Sequence, residues 1–471
     1  MNAGKDRLTI SLVAHTNVGK TTLARTLLRK DVGEVRDRAH VTEVSEAYPL
    51  IETDDARLFL WDTPGLGDTV RLVRRLKREG SPVGWFLHQV WDKHRDRPLW
   101  CSQEALRNVR EDADVVLYLV NAGESPEDAG YVPLELEILD WIGRPTLVVL
   151  NQTGGTEEAS RKLTAEWEAY LADQRVVRGV LALDAFTRSW LQEDALFERL
   201  VPLFPADRRD AMASLAAAWS ARNRAIFEQT TERIAAFLVE VANDGERVDE
   251  AERRSPLEVR ARVEAFLGRI EERERALWEG VVDLHGLEGD FAVEARSMLE
   301  SLVPGIETFG LVEQLTQLLD ENKNTMKGAA GGLVAVGLAA DVLSGGLTLG
   351  GGALVGGLLG GALGRLMDRR RGKTDREDRE TLRLSAALLA RLVVDCLCRY
   401  LVLAHHGRGR GALESNDEAS RYRAAVEAAL EAEDGRLVER LESARSGSAA
   451  RSAEALTADL ARIAESLLGR G

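Results

Sequence analysis

Leu8-Thr9-Ile10-Ser11-Leu12-Val13-Ala14-His15-Thr16-Asn17-Val18-Gly19-Lys20-Thr21-Thr22-Leu23-Ala24-Arg25-Thr26-Leu27-Leu28 decides how the N-terminal part of this chain folds. Residues 8–13 are an apolar run that predicts a strand, and residues 22–28 predict a helix. Ala14 to Thr21 is the tight loop between them. Strand, loop and helix in that order make a phosphate cradle of a Gly-Lys-Thr match that could otherwise be chance. Backbone N–H groups over Asn17, Val18, Gly19, Lys20, Thr21 and Thr22 converge with the helix N-terminus, so negative charge is favoured there. Lys20, expected as a surface-facing charge, would reach the β- and γ-phosphate oxygens, and the Thr21 hydroxyl would take one position on Mg2+. Ala14 stands where such loops usually carry Gly, and it is nearly as small.

A second motif lies downstream. Leu58-Phe59-Leu60-Trp61 predicts a short strand that ends in Asp62-Thr63-Pro64-Gly65. A carboxylate at the end of a strand beside the phosphate loop gives Mg2+ a second anchor, and the Gly65 N–H would meet the γ-phosphate. With both motifs in place, the chain resembles the Ras-like GTPases, and within them the TrmE–Era–septin-like branch. That branch carries Asn-x-Gly-Lys-Ser/Thr followed by Asp-Thr-Pro-Gly. As a whole the chain resembles bacterial GTPases whose C-terminal half is a domain of unknown function (DUF3482).

The resemblance implies an α/β P-loop GTPase domain over residues 1–205, with a mixed, mostly parallel sheet, and an α-helical domain over 206–471. It implies a Mg2+-dependent switch that binds GTP and GDP and hydrolyses GTP, with Lys20, Thr42 and Gly65 as its catalytic residues. Thr21, Thr42 and Asp62 would hold the metal. Thr42 matches the first-switch Thr that closes onto Mg2+, although His40-Val41 replaces the family's usual Gly-Thr. It also suits the start of a strand near Val44 to Ile51. Asp54-Asp55 then supplies a hairpin turn into the strand that carries Asp62.

Leu66 follows Gly65 where Ras-like enzymes with their own water-orienting residue carry Gln. An aliphatic side chain cannot orient water, so intrinsic hydrolysis should be slow without Asp68, a cation, a partner or self-assembly. In potassium-activated relatives the loop Asn helps hold the cation. Asn17 matches it, which makes K+ a candidate cofactor and a homodimer through the GTPase domain a candidate assembly. Asn17 also suits a turn residue that bonds its own loop.

Val115 to Val120 and Thr146 to Leu150 predict buried strands, with helical segments near 132–142 and 156–173 beside them. The second strand runs into Asn151-Gln152-Thr153-Gly154, where GTPases carry Asn-Lys-x-Asp to read guanine. Asn151 could contact the base edge or brace the phosphate loop. Gly179 to Leu183 predicts the last strand, and Asp184 after it could take over the guanine contact or cap a turn.

Composition limits the partners. A net charge of −15 over 471 residues argues against general nucleic-acid affinity. Cys101, Cys396 and Cys398 read as ordinary thiols in a reducing cytosol, and the N-terminus lacks a signal-peptide core. The expected location is therefore cytoplasmic. Residues 71–104 look like an insertion that mixes Arg71, Arg74, Arg75, Lys77 and Arg78 with Trp85, Phe86, His88, Trp91, His94 and Trp100. Such mixing could bind single-stranded RNA. An amphipathic elaboration packed on the nucleotide domain is the preferred reading.

From about Pro205 the chain predicts long helices over 206–243, 256–281, 285–322, 376–406 and 417–467. Within this half of the chain, between the third and fourth of these helices, residues 328–366 read as a Gly-rich apolar hairpin. Between Gly328 and Gly364 the only charge is Asp341. Lys323 and Lys327 precede it, and Arg365, Arg369, Arg370, Arg371 and Lys373 follow. Charge at both ends suits a re-entrant or peripheral hairpin through 328–373 at the inner membrane, and close Gly packing suits a core hairpin equally. An alternative to the switch is therefore a nucleotide-binding membrane scaffold with dynamin-like logic and little intrinsic turnover.

Overall fold

The computed structural model describes residues 6–29, 45–77, 97–152, 157–183, 189–247, 256–287, 381–384, 386–406, 415–445 and 449–468. Thr42, Gly154, Asp184, the aromatic centre of the 71–104 stretch, the whole of 328–373 and the glycines of 407–411 lie outside them. The chain divides into two compact units. The first holds residues 1–225, 404–411 and 468–471, and the second holds 226–403 and 412–467.

The first unit is built on β1 (Asp6–Ala14), α1 (Lys20–Leu28), β2 (Glu46–Glu52), β3 (Ala56–Asp62), α2 (Thr69–Leu76), α3 (Arg97–Glu111) and β4 (Val115–Asn121). It continues with α4 (Val132–Ile142), β5 (Thr146–Asn151), α5 (Glu157–Tyr170), β6 (Val177–Ala182), α6 (Trp190–Leu200) and the first part of α7 (Arg209–Asn243). The six strands run in the order β2-β3-β1-β4-β5-β6. Every pairing is parallel except β2 with β3, which forms the expected hairpin through Asp54-Asp55. The turn closes with the Thr53 N–H donating to the Ala56 carbonyl at 2.8 Å.

Both faces of the sheet are covered, which is why the central strands are apolar throughout rather than alternating. β4 shows the division. Val116, Tyr118 and Val120 pack with α2, α3, α4 and Trp167 of α5. Val115, Leu117 and Leu119 pack with α1, α6 and Met212, Leu215 and Trp219 of α7. The Phe197 and Trp219 rings stack at 4.5 Å and anchor the start of α7 on that face. Fully burying each such aliphatic side chain stabilises the fold by about 1.5–3 kcal/mol.

Several expectations shift. β6 begins at Val177 and ends at Ala182, two residues earlier at its start than expected. Residues 97–111 form one helix, so an insertion ending at 104 would end inside it. The described ends of the 71–104 stretch are helical. Leu72, Val73 and Leu76 at one end, with Leu99, Ala105 and Leu106 from the helix at the other, enter the same core.

In the second unit, α7 runs on to Asn243 and is followed by a helix over Pro256–Leu284 that opens on its proline. Residues 381–382 are not helical as expected. They pair antiparallel with Glu246–Arg247, and the helix starts only at Ala386. Arg445 pins this corner by donating from Nε to the Ala242 carbonyl at 2.8 Å and from Nη2 to the Leu384 carbonyl at 2.7 Å. The expected helix over 417–467 is three helices, Ser415–Glu431, Arg436–Ala444 and Ala449–Leu468. Asp434 and Gly435, both at positive φ, make the first break. Cys396 and Cys398 are buried core, and burial pushes the Cys398 thiol up to about 12. Among the described residues no helix is long and apolar enough to cross a membrane.

Candidate nucleotide site

The site forms where β1 and β3 end side by side, paired from Asp6↔Ala56 to Leu12↔Asp62. Parallel pairing brings the loop after β1 beside the Asp-Thr-Pro-Gly after β3. The join is tightened by the Leu66 N–H, which donates to the Ala14 carbonyl at 2.9 Å, and by the Thr63 hydroxyl, which donates to the Leu12 carbonyl at 2.5 Å. Ala14 is fully buried in the core on the α1 face of the sheet.

The loop reverses through Asn17 at φ 65° and Gly19 at φ 95°. A Cβ at residue 19 would stand 2.7 Å from Nδ2 of Asn151, so glycine is required by contact as well as by φ. α1 opens directly at Lys20. No side chain caps it and its first turn holds no acid, so its N-terminal N–H groups remain suited to an anion.

Lys20 corrects the expectation of a surface-facing charge. It is 8% exposed, and burial lowers its pKa below the ordinary 10.5 while Asp62, Glu135 and Cys101 oppose that shift. A Cβ on Gly65 would lie 3.2 Å from Nζ of Lys20, 3.0 Å from Cγ2 of Thr16 and 3.1 Å from Cα of Thr16. The lysine and the Asp-Thr-Pro-Gly glycine therefore face each other. The Thr21 hydroxyl donates to Oδ2 of Asp62 at 2.7 Å. These two hard oxygens, held together at the strand ends, are a donor set that fits Mg2+, which binds proteins through a carboxylate or two and takes its other oxygens from water and phosphate. When bound, such an ion neutralises phosphate charge. Among the described residues no group of three or more His, Cys, Asp or Glu could hold a metal on its own.

Asn151, left open between base edge and loop, turns to the loop. It is fully buried and its Nδ2 donates to the Val18 carbonyl at 2.8 Å. Thr22 is buried at the foot of α1. Leu66 is buried in the core beneath α2, which accounts for an apolar residue where a water-orienting one would stand. Asp68 is committed as a cap, with its Oδ1 accepting from the Arg71 N–H at 3.3 Å.

Glu135 escaped the sequence reading. It is completely buried behind the loop, and it accepts from His15, Thr69 and Tyr118. A signal was present: Val132, Glu135, Leu136 and Leu139 fall at helical spacing on one face, and all four are buried.

Residues 9–152 match the family described as 50S ribosome-binding GTPase. The chain is 27% identical over 212 residues to GTPase Der of Azotobacter vinelandii, which covers 43% of this chain and 38% of that protein. It thus spans about two fifths of the length of that curated relative. Among solved structures it is similar to Era of Aquifex aeolicus bound to GDP and aluminium fluoride, at 19% identity and a TM-score of 0.31 over 42% of this chain and 57% of that one. It is also similar to the FeoB G-domain of Methanococcus jannaschii, at 18% identity and a TM-score of 0.22 over 38% of this chain and 86% of that one. Residues 172–469, more than half of the chain, match the family described as Domain of unknown function (DUF3482). With residues 172–469 matched over more than half of its length, the chain belongs to the DUF3482 family, and it carries ahead of that match a phosphate loop and an Asp-Thr-Pro-Gly at adjoining strand ends, within the stretch that matches the 50S ribosome-binding GTPase model.

Proposed function

We propose that this protein is a Mg2+-dependent switch that binds GTP, hydrolyses it slowly, and passes its state to the helical module of residues 206–471. The observation that carries the reading is the meeting of Lys20, Thr21, Asp62 and Gly65 at the ends of β1 and β3. In this reading Lys20 binds the β- and γ-phosphates, the Gly65 N–H senses the γ-phosphate, and Thr21 and Asp62 hold the ion, joined by Thr42. Titration of the full chain with GTP, GDP and ATP, with and without Mg2+, tests it. Asp62→Ala should weaken binding in Mg2+ far more than binding in a chelator. Equal losses in both would remove Asp62 from the metal.

Asn151 donates through Nδ2 to the loop, and Asp184 is the proposed residue for base selectivity. K+ held at Asn17, with a homodimer through the GTPase domain, is the proposed route to faster turnover. Nucleic acid is the least favoured partner for residues 71–104, because the ends that enter the core use their apolar residues there.

A second reading, a nucleotide-binding membrane scaffold, is favoured by the burial of Leu66, which leaves that position unable to orient water. Its membrane contact would be peripheral or re-entrant through residues 328–373, with a basic cluster that contributes about 1 kcal/mol per charge near anionic lipid. Flotation with anionic liposomes decides this. Wild type should float and a chain with a polar linker in place of residues 328–364 should not. Recovery of both in the soluble fraction in every nucleotide state would end the membrane reading.

A further inference from the structure

Glu135 is completely buried in the first unit. A carboxylate with no exposed surface is costly unless donors surround it. Three do. Oε1 accepts from His15 at 2.7 Å through Nδ1 and from the Thr69 hydroxyl at 2.8 Å, and Oε2 accepts from the Tyr118 hydroxyl at 2.8 Å. A carboxylate only accepts, so the His15 proton facing it sits on Nδ1. The imidazole is held flat by Tyr131, with ring centroids 4.5 Å apart and planes 26° from parallel.

The partners belong to different working parts. His15 is in the phosphate loop and Thr69 is the first residue of α2, just after the Asp-Thr-Pro-Gly. Tyr118 lies on central strand β4, fully buried, and gives the carboxylate a fixed base. One oxygen, Oε1, therefore joins the phosphate loop to the start of α2. The backbone already brings them close, through the His15↔Leu66 bridge. Glu135 also adds negative charge near the buried Lys20 ammonium.

We propose that Glu135 is a positioning residue that locks the phosphate loop, through His15, to the start of α2, through Thr69, so that Lys20 and Gly65 keep their register. This rests on the GTPase reading for its catalytic consequence, and on geometry alone for the lock itself. A segment that responds to the γ-phosphate must move as a unit to report it. A side chain bonded to both segments adds a second path for that displacement beside the backbone bridge.

The test uses the full chain with Glu135→Gln, Thr69→Val, His15→Phe and the His15→Phe/Thr69→Val double variant. Phe at 15 keeps the stack on Tyr131, and Val at 69 keeps the shape of Thr. Glu135→Gln should keep the wild-type circular dichroism and bind GDP within about threefold, while single-turnover GTP hydrolysis slows by about tenfold or more. Amide exchange of the nucleotide-free protein should show Thr69→Val loosening residues 14–20, and His15→Phe loosening residues 66–76. The double variant should be no slower in hydrolysis than the worse single variant by more than about twofold, because both singles open the same lock. Exchange changes confined to each mutated segment, with multiplicative rate losses, would overturn the proposal. If Glu135→Gln does not fold, the other variants carry the test. If wild type binds no GTP, the GTPase reading fails, and the exchange comparison alone decides whether Glu135 couples the two segments.

Discussion

The side chain of Asn151 donates through Nδ2 to the carbonyl of Val18 at 2.8 Å, joining the end of β5 to the phosphate loop. The bond is fully buried, so losing it leaves a carbonyl without its donor. Asn151→Ala is expected to cost about 1–3 kcal/mol in chemical denaturation and to weaken GTP and ATP equally. The competition ratio of GTP to ATP is the deciding measurement. A collapse of that ratio in the variant would return Asn151 to the base edge.

Lys20 gives a prediction with opposite signs for binding and stability. Lys20→Met should abolish triphosphate binding yet raise the stability of the nucleotide-free protein at neutral pH, since it removes a desolvated ammonium. The pH dependence follows from a folded-state pKa below the ordinary 10.5. Between the two pKa values the unfolded chain binds more protons, so the wild type gains stability as pH rises through that window. The advantage of the variant should therefore be largest at neutral pH and fade toward pH 10.5. Paired denaturation curves across this range check it. An advantage that grows with pH would contradict the burial of a charged Lys20.

Gly65 leaves only tight room for a side chain. An added methyl would meet the Thr16 backbone at 3.1 Å and Nζ of Lys20 at 3.2 Å, and the backbone contact cannot simply rotate away. Gly65→Ala should leave the unit folded and GDP binding nearly intact, while hydrolysis falls by about tenfold to a hundredfold. A rate within about twofold of wild type would mean that the segment repositions freely.

Hydrolysis should be faster in K+ than in Na+. Leu66 is sealed in the core, whereas Asn17 is exposed on the loop at φ 65°, a conformation Asn accepts readily. Steady-state turnover at matched ionic strength, at protein concentrations that span dimer formation, is the comparison. Equal rates in both salts throughout would remove the cation from the mechanism, and Asn17 would then act only as a turn residue.

Much of the site was legible in the sequence because its parts are local. A strand, a loop closed by Gly19 and a helix opening at Lys20 are specified within one short stretch, as are β3 and the Asp-Thr-Pro-Gly that ends it. Helix boundaries such as Val132–Ile142 emerged at the expected residues because apolar periodicity marks them strongly. The strand after residue 176 was less well placed, since Arg178 and Gly179 interrupt the apolar run between Val177 and Val180.

The tertiary structure alone decided what the polar side chains do. Asn151 and Val18 are 133 residues apart, and Glu135 and His15 are 120 apart, so no local pattern pairs them. Glu135 reads as one more charge on a charged helix until β4 supplies Tyr118 and α2 supplies Thr69 to satisfy it. Lys20 reads as a solvated charge until Gly65 and Asp62 close over it. Local sequence sets which backbone forms, because φ/ψ preferences and apolar spacing act over a few residues. Whether a polar group is buried, and which donor then satisfies it, depends on strands that meet only when the sheet assembles.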